Sequence, residues 1–154
     1  MVLKQVTSTI SRVIPQKTKN LAVMVDGPNI LRKEFGIDLN DIKKVLQKHG
    51  NIKIGKVFLN QFASNKLIEA VVNQGFESVI TVGDIDVAMS VEATEAIFNN
   101  NIQAIVFVTR DSDFLPAIVK AKRYGKETIS ILIEESAAAA LKNTADVVIT
   151  LGKG

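Results

Sequence analysis

From residue 21 onward two textures alternate, and this alternation limits the available folds more than any other feature of the chain. Short runs rich in Val and Ile occur at Leu21–Val25, Ile52–Leu59, Ser78–Val82, Ala104–Val108, Thr128–Ile133 and Val147–Leu151. Apolar runs of this length predict strands covered on both faces. Helical spacing fills the gaps. Leu39, Ile42, Val45 and Leu46 repeat at that spacing, with Asp38 or Asn40 available as a cap. Leu67, Ile68, Val71 and Val72 repeat it after Ser64. Val87, Val91 and Ala93–Ile97 continue it until Asn99, Asn100 and Asn101 intervene. Further helical segments are expected at Ile118–Tyr124 and Ala137–Leu141. Gly50, Gly75 and Gly125 each follow such a segment, where a helix wants a left-handed terminal residue.

Strand–helix–strand repetition requires crossover connections, hence a mainly parallel sheet with helices on both sides. The expected fold is a three-layer α/β/α sandwich with five to six strands. Residues 20–154 read as one domain, which suits a chain of 154 residues. Residues 1–19 read as an arm, in part helical as far as Pro15. The arm holds Lys4, Arg12, Lys17 and Lys19 and no acid, whereas the rest of the chain holds 15 basic and 16 acidic residues. A basic arm attracts phosphate backbones; a solvated terminus is the plainer reading of the same residues. Neither a signal-peptide block nor a membrane-length apolar run occurs, so a soluble, cytoplasmic protein with no membrane partner is expected.

Composition then narrows the chemistry. The chain has no cysteine and one histidine, His49. Thiol chemistry, zinc–cysteine sites and sites needing two histidines are excluded. His49 ends a helical pattern, where a helix dipole favours it. With seven Phe, one Tyr and no Trp, the aromatic content weighs against a base-stacking surface.

Ligands of open parallel sheets bind beyond the carboxyl ends of the strands. Three of the six strand ends carry acids: Asp26, then Asp84 with Asp86, then Asp111 with Asp113. Carboxylates gathered at one edge repel, and a divalent cation is the usual remedy. Oxygen-only ligands select Mg²⁺, Mn²⁺ or Ca²⁺. Each acid also has a structural reading. Asp26 could form an Asx turn, Asp84 or Asp86 could cap one helix, and Asp113 could cap another with Pro116 in its third position. Phosphate-binding glycine loops and nucleophile elbows are absent.

Four segments resemble the NYN domain family of the PIN-like nuclease superfamily. Asp26-Gly27-Pro28-Asn29 resembles its opening Asp-x-x-Asn. Asp86 to Glu92 resembles its second motif, and Thr109-Arg110-Asp111-Ser112-Asp113-Phe114 its third. Ser136–Asp146 resembles its closing segment. The resemblance implies a PIN-like fold and cleavage of RNA with Mg²⁺ or Mn²⁺. It implies that Asp26, Asp86, Asp111 and Asp113 hold the metal and carry catalysis, with Asn29, Arg110 and Ser112 contacting substrate. The ion would activate water and offset charge on the scissile phosphate, leaving a 3′-hydroxyl and a 5′-phosphate. Gly83-Asp84 replaces the family's Lys-Gly, and Thr109-Arg110 replaces Ser-Gly. On an ideal helix Glu92 lies about 120° from Asp86, outside the metal's ligand set. The alternative function is a catalytically weak RNA-binding or protein-interaction module, with Lys33, Lys120 and Arg123 as further phosphate contacts. A homodimer in which two acidic sites share one groove is also expected to be open to this fold.

Overall fold

The computed structural model describes residues 18–31, 37–110, 114–133 and 139–152. The expected arm, apart from Thr18 and Lys19, lies outside them. The order of elements is β1 (Asn20–Asp26), α1 (Gly27–Ile30), α2 (Leu39–Leu46), β2 (Asn51–Asn60), α3 (Asn65–Asn73) and β3 (Glu77–Thr81). Then follow α4 (Ile85–Ile97), β4 (Ala104–Val108), α5 (Leu115–Arg123), β5 (Glu127–Ile133), α6 (Ala139–Thr144) and β6 (Val147–Leu151).

All six strands join one sheet in the order β3-β2-β1-β4-β5-β6, and every pairing is parallel. Side chains alternate between faces along a strand, and two cores follow. On one face Leu21, Val23 and Val25 pack with Ile30, Leu39, Ile42, Leu46 and Val71 from α1, α2 and α3. On the other, Ala22, Met24 and Phe58 pack with Met89, Ala93, Phe114 and Ile118 from α4 and α5. The central strands are covered on both sides, which is why β1 and β4 read as apolar runs; β5 is equally covered but carries the buried polar Thr128 and Ser130.

Local chemistry sets the helix starts. Asp38 accepts from the Asp41 N–H at 2.9 Å and Asp41 accepts from the Asp38 N–H at 2.9 Å, a reciprocal capping box for α2. Ser64 accepts from the Leu67 N–H at 3.1 Å and caps α3. Helix α5 starts earlier than the Ile118 expected from periodicity. Phe114 stands at its N-cap and Pro116 in its second position, where the missing N–H of proline is not required. Asp113, the expected cap, lies outside the described residues. The four-residue α1 was not expected. It forms because Pro28 sits in its first turn with a preset φ.

Strand β3 ends at Thr81, one residue before the expected end, and leaves Val82 outside the sheet and 78% exposed. Gly83 then turns the chain with φ +103°, a conformation costly to any other residue. No helix among the described residues is long and apolar enough to cross a membrane.

Candidate active site at the carboxyl edge of the sheet

Strands β1, β2 and β3 step outward in one direction, and the chain then crosses back to place β4 on the other side of β1. The strand order reverses between β1 and β4, and a crevice opens at the carboxyl ends where such a reversal occurs. Asp26 is the last residue of β1. Val25 pairs with Val108, so the next residues on each strand, Asp26 and Thr109, lie level with one another at this point.

Asp26 is 1% exposed, and Thr109 beside it is equally buried. The Asp26 side chain makes no capping hydrogen bond to α1, although it occupies the N-cap position. Gly27 follows because nothing larger fits. A Cβ there would lie 2.6 Å from the Phe58 carbonyl oxygen and 2.6 Å from Leu59 Cδ2. The turn out of β1 is thus pressed against the end of β2.

Asp86 reaches the same edge by another route. Helix α4 starts just beyond β3 and packs across β1, β2 and β4, so its N-terminal end lies at the carboxyl edge. Asp84 is its cap, accepting from the Asp86 N–H at 2.9 Å. The two acids of this segment therefore divide: Asp84 closes the helix, and Asp86 in the first turn keeps the ligand reading. Arg110, partly exposed, directly follows Thr109 beyond β4. Asn29 belongs to α1, but its side chain lies outside the described part. Asp111, Ser112 and Asp113 also lie outside the described residues, between Arg110 and the α5 cap Phe114. Among the described residues no cluster of three or more acidic or histidine side chains forms a metal cage.

Other polar residues are elsewhere. Glu92 pairs with Lys56 of β2 at 2.5 Å, and Glu77 lies 3.9 Å from the same ammonium. Burial disfavours the charge on Lys56, but the hydrogen bond and negative charge of Glu92 outweigh it and raise its pKa above the ordinary value. Glu92 therefore ties α4 to the sheet. Asp146, in the expected closing segment, accepts from the Thr128 N–H at 2.9 Å and its hydroxyl at 3.1 Å. These bonds join the start of β5 to the start of β6, at the opposite edge. The Thr128 backbone N–H holds Asp146 below the ordinary carboxylate range, against the opposing effect of burial and with help from the Thr128 hydroxyl and Lys122. His49 lies at that far edge too, in the turn before β2, with its N–H bonded to the Leu46 carbonyl.

One residue escaped sequence reasoning. The low aromatic count argued against exposed rings, yet Phe62, just beyond β2, is 83% exposed. The available signal was an aromatic inside the polar loop Asn60-Gln61-Phe62-Ala63-Ser64 at a strand's carboxyl end.

Comparison with known proteins agrees with this architecture. The model of the NYN domain matches residues 20–152. A protein of Methanocaldococcus jannaschii, "Uncharacterized protein MJ0482", is 53% identical over 97% of this chain, and the chain spans 65% of that relative's length. The crystal structure of a protein of unknown function, VPA0982 from Vibrio parahaemolyticus, superposes with a TM-score of 0.77 at 19% identity. That superposition covers 90% of this chain and 96% of the other, and shows a shared fold.

Proposed function

The chain belongs to the NYN domain family, whose fold is nuclease-like, and from that premise we propose that it is a divalent-metal-dependent ribonuclease. The observation that carries the reading is the buried carboxylate of Asp26 at the point where strand order reverses. It is supported by Asp86 at the start of α4 and by Asp111 and Asp113, which follow β4 in sequence.

The donor chemistry fits a hard cation. The acids offer oxygen alone, the chain has no cysteine, and its one histidine sits at the far edge. Mg²⁺ or Mn²⁺ would be held by Asp26, Asp86, Asp111 and Asp113, and when bound would supply Lewis-acid polarisation of the phosphate and of water. Arg110, Asn29 and Ser112 would orient the phosphodiester. In the reaction a water oxygen bonds to phosphorus and the bond to the 3′ oxygen breaks. The leaving oxygen takes a proton, which gives a 3′-hydroxyl and a 5′-phosphate. The structure also accounts for one departure from the family pattern. Asp84, at a place usually held by glycine and preceded by glycine instead of lysine, is used as a helix cap.

The test is cleavage of end-labelled single-stranded RNA with Mg²⁺ or Mn²⁺, with a chelator control. Asp26→Asn should lower the rate by more than ~100-fold, beyond the usual cost of losing an outer-sphere partner. RNA that stays intact under both metals would overturn the reading and leave a binding module on the same fold.

A further inference from the structure

We infer that Phe62 is a stacking platform for an unpaired base of single-stranded RNA, one strand away from the acidic crevice. The inference deepens the ribonuclease reading and rests on it for the identity of the ligand.

The ring is held out by its turn. The Asn60 side-chain oxygen accepts from the Phe62 N–H at 2.9 Å, and the Asn60 carbonyl accepts from the Ala63 N–H at 3.1 Å. Ser64 then caps α3. The loop is fixed at both ends by hydrogen bonds, yet the ring is the most exposed of the large apolar side chains among the described residues. Such a turn presents a preorganised aromatic face, and binding it costs little ordering.

Its position selects the ligand. Across the carboxyl edge the strands run β3, β2, β1, β4, so Phe62 follows the strand next to Asp26. Asn60 pairs with Thr81, which brings exposed Val82 out of the sheet alongside it. Asp26 pairs with Phe58, so β2 runs two residues past Asp26 before the turn that carries Phe62, and the ring stands on the solvent side of the buried carboxylate at the same edge. Stacking uses the π-face common to all four bases, so it predicts little sequence preference. It needs a base free of pairing, so it predicts a preference for single strands.

The chain contains no tryptophan, so Phe62→Trp installs a lone fluorescent reporter. Titrated with an eight-nucleotide single-stranded RNA in chelator, its emission should be quenched to saturation, while a blunt RNA duplex should leave it unchanged. Phe62→Ala should weaken binding of that RNA by ~5-fold or more and raise KM with kcat retained. Phe62→Tyr should behave as the parent. An unchanged melting temperature for Phe62→Ala would show that the loss is not one of folding. If Phe62→Ala binds and cleaves like the parent while Asp26→Asn is dead, the platform is overturned and the ribonuclease stands. If the parent protein neither binds nor cleaves RNA, the ribonuclease reading fails and takes the platform with it. Reporter emission that shifts with protein concentration alone would assign the ring to contact with a second copy and overturn the proposal.

Discussion

At the scale of single residues, the two acids that open α4 separate cleanly. Asp84→Ala should cost about 1 kcal/mol of stability through loss of the cap, seen as a lower denaturant midpoint, and leave cleavage within a few-fold. Asp86→Asn should retain stability and lose activity. The reverse pattern would exchange their roles. Gly27 provides a second test. Gly27→Ala should destabilise by about 1–3 kcal/mol, because the neighbour it meets is the Phe58 carbonyl, which cannot move without disturbing β2.

At the scale of elements, two polar contacts fasten pieces of chain and carry opposite pH signatures. Lys56 binds α4 to β2 through Glu92. Its pKa is raised on folding, so its stabilisation is complete below the unfolded value near 10.5 and is lost as pH rises through the folded value. Lys56→Met should therefore flatten the fall in melting temperature above pH 10. Asp146 has a lowered pKa, so its contribution is complete above the unfolded value of 3.8 and is lost as pH falls through the folded one. Asp146→Ala should be less stable at neutral pH, and its deficit should shrink in acid. Sequence periodicity located β4 and β6 to the residue: β4 is buried throughout and reads as a continuous apolar run, and β6 is an edge strand whose Val and Ile content still marks it. It missed α1, and apolar spacing alone began α5 late, whereas the position of Pro116 put that start within one residue. It left open whether Asp84 or Asp86 caps α4. Which of them caps a helix depends on a 2.9 Å hydrogen bond that spacing alone does not determine. It also undervalued Phe62, because a count of aromatics does not say which ones the fold leaves outside.

At the scale of the whole molecule, the proposed site has a cost: acids gathered at one edge would tax the fold. Repulsion at the carboxyl edge predicts that Mg²⁺ or Mn²⁺ raises the melting temperature at low salt, by the equivalent of ~2.7 kcal/mol at a hundredfold excess over Kd. Asp111→Asn should stabilise the metal-free protein and abolish that shift. Absence of any shift with either metal would remove the case for a metal site. The reversal of strand order has a further consequence, in time instead of space. Strands β1 to β3 occupy residues 20–81, and β4 is not made until residue 104. A chain still emerging from the ribosome holds Asp26 and Asp86 long before Asp111 and Asp113. On the proposed reading it is inactive at that stage, because half of its site has yet to be translated.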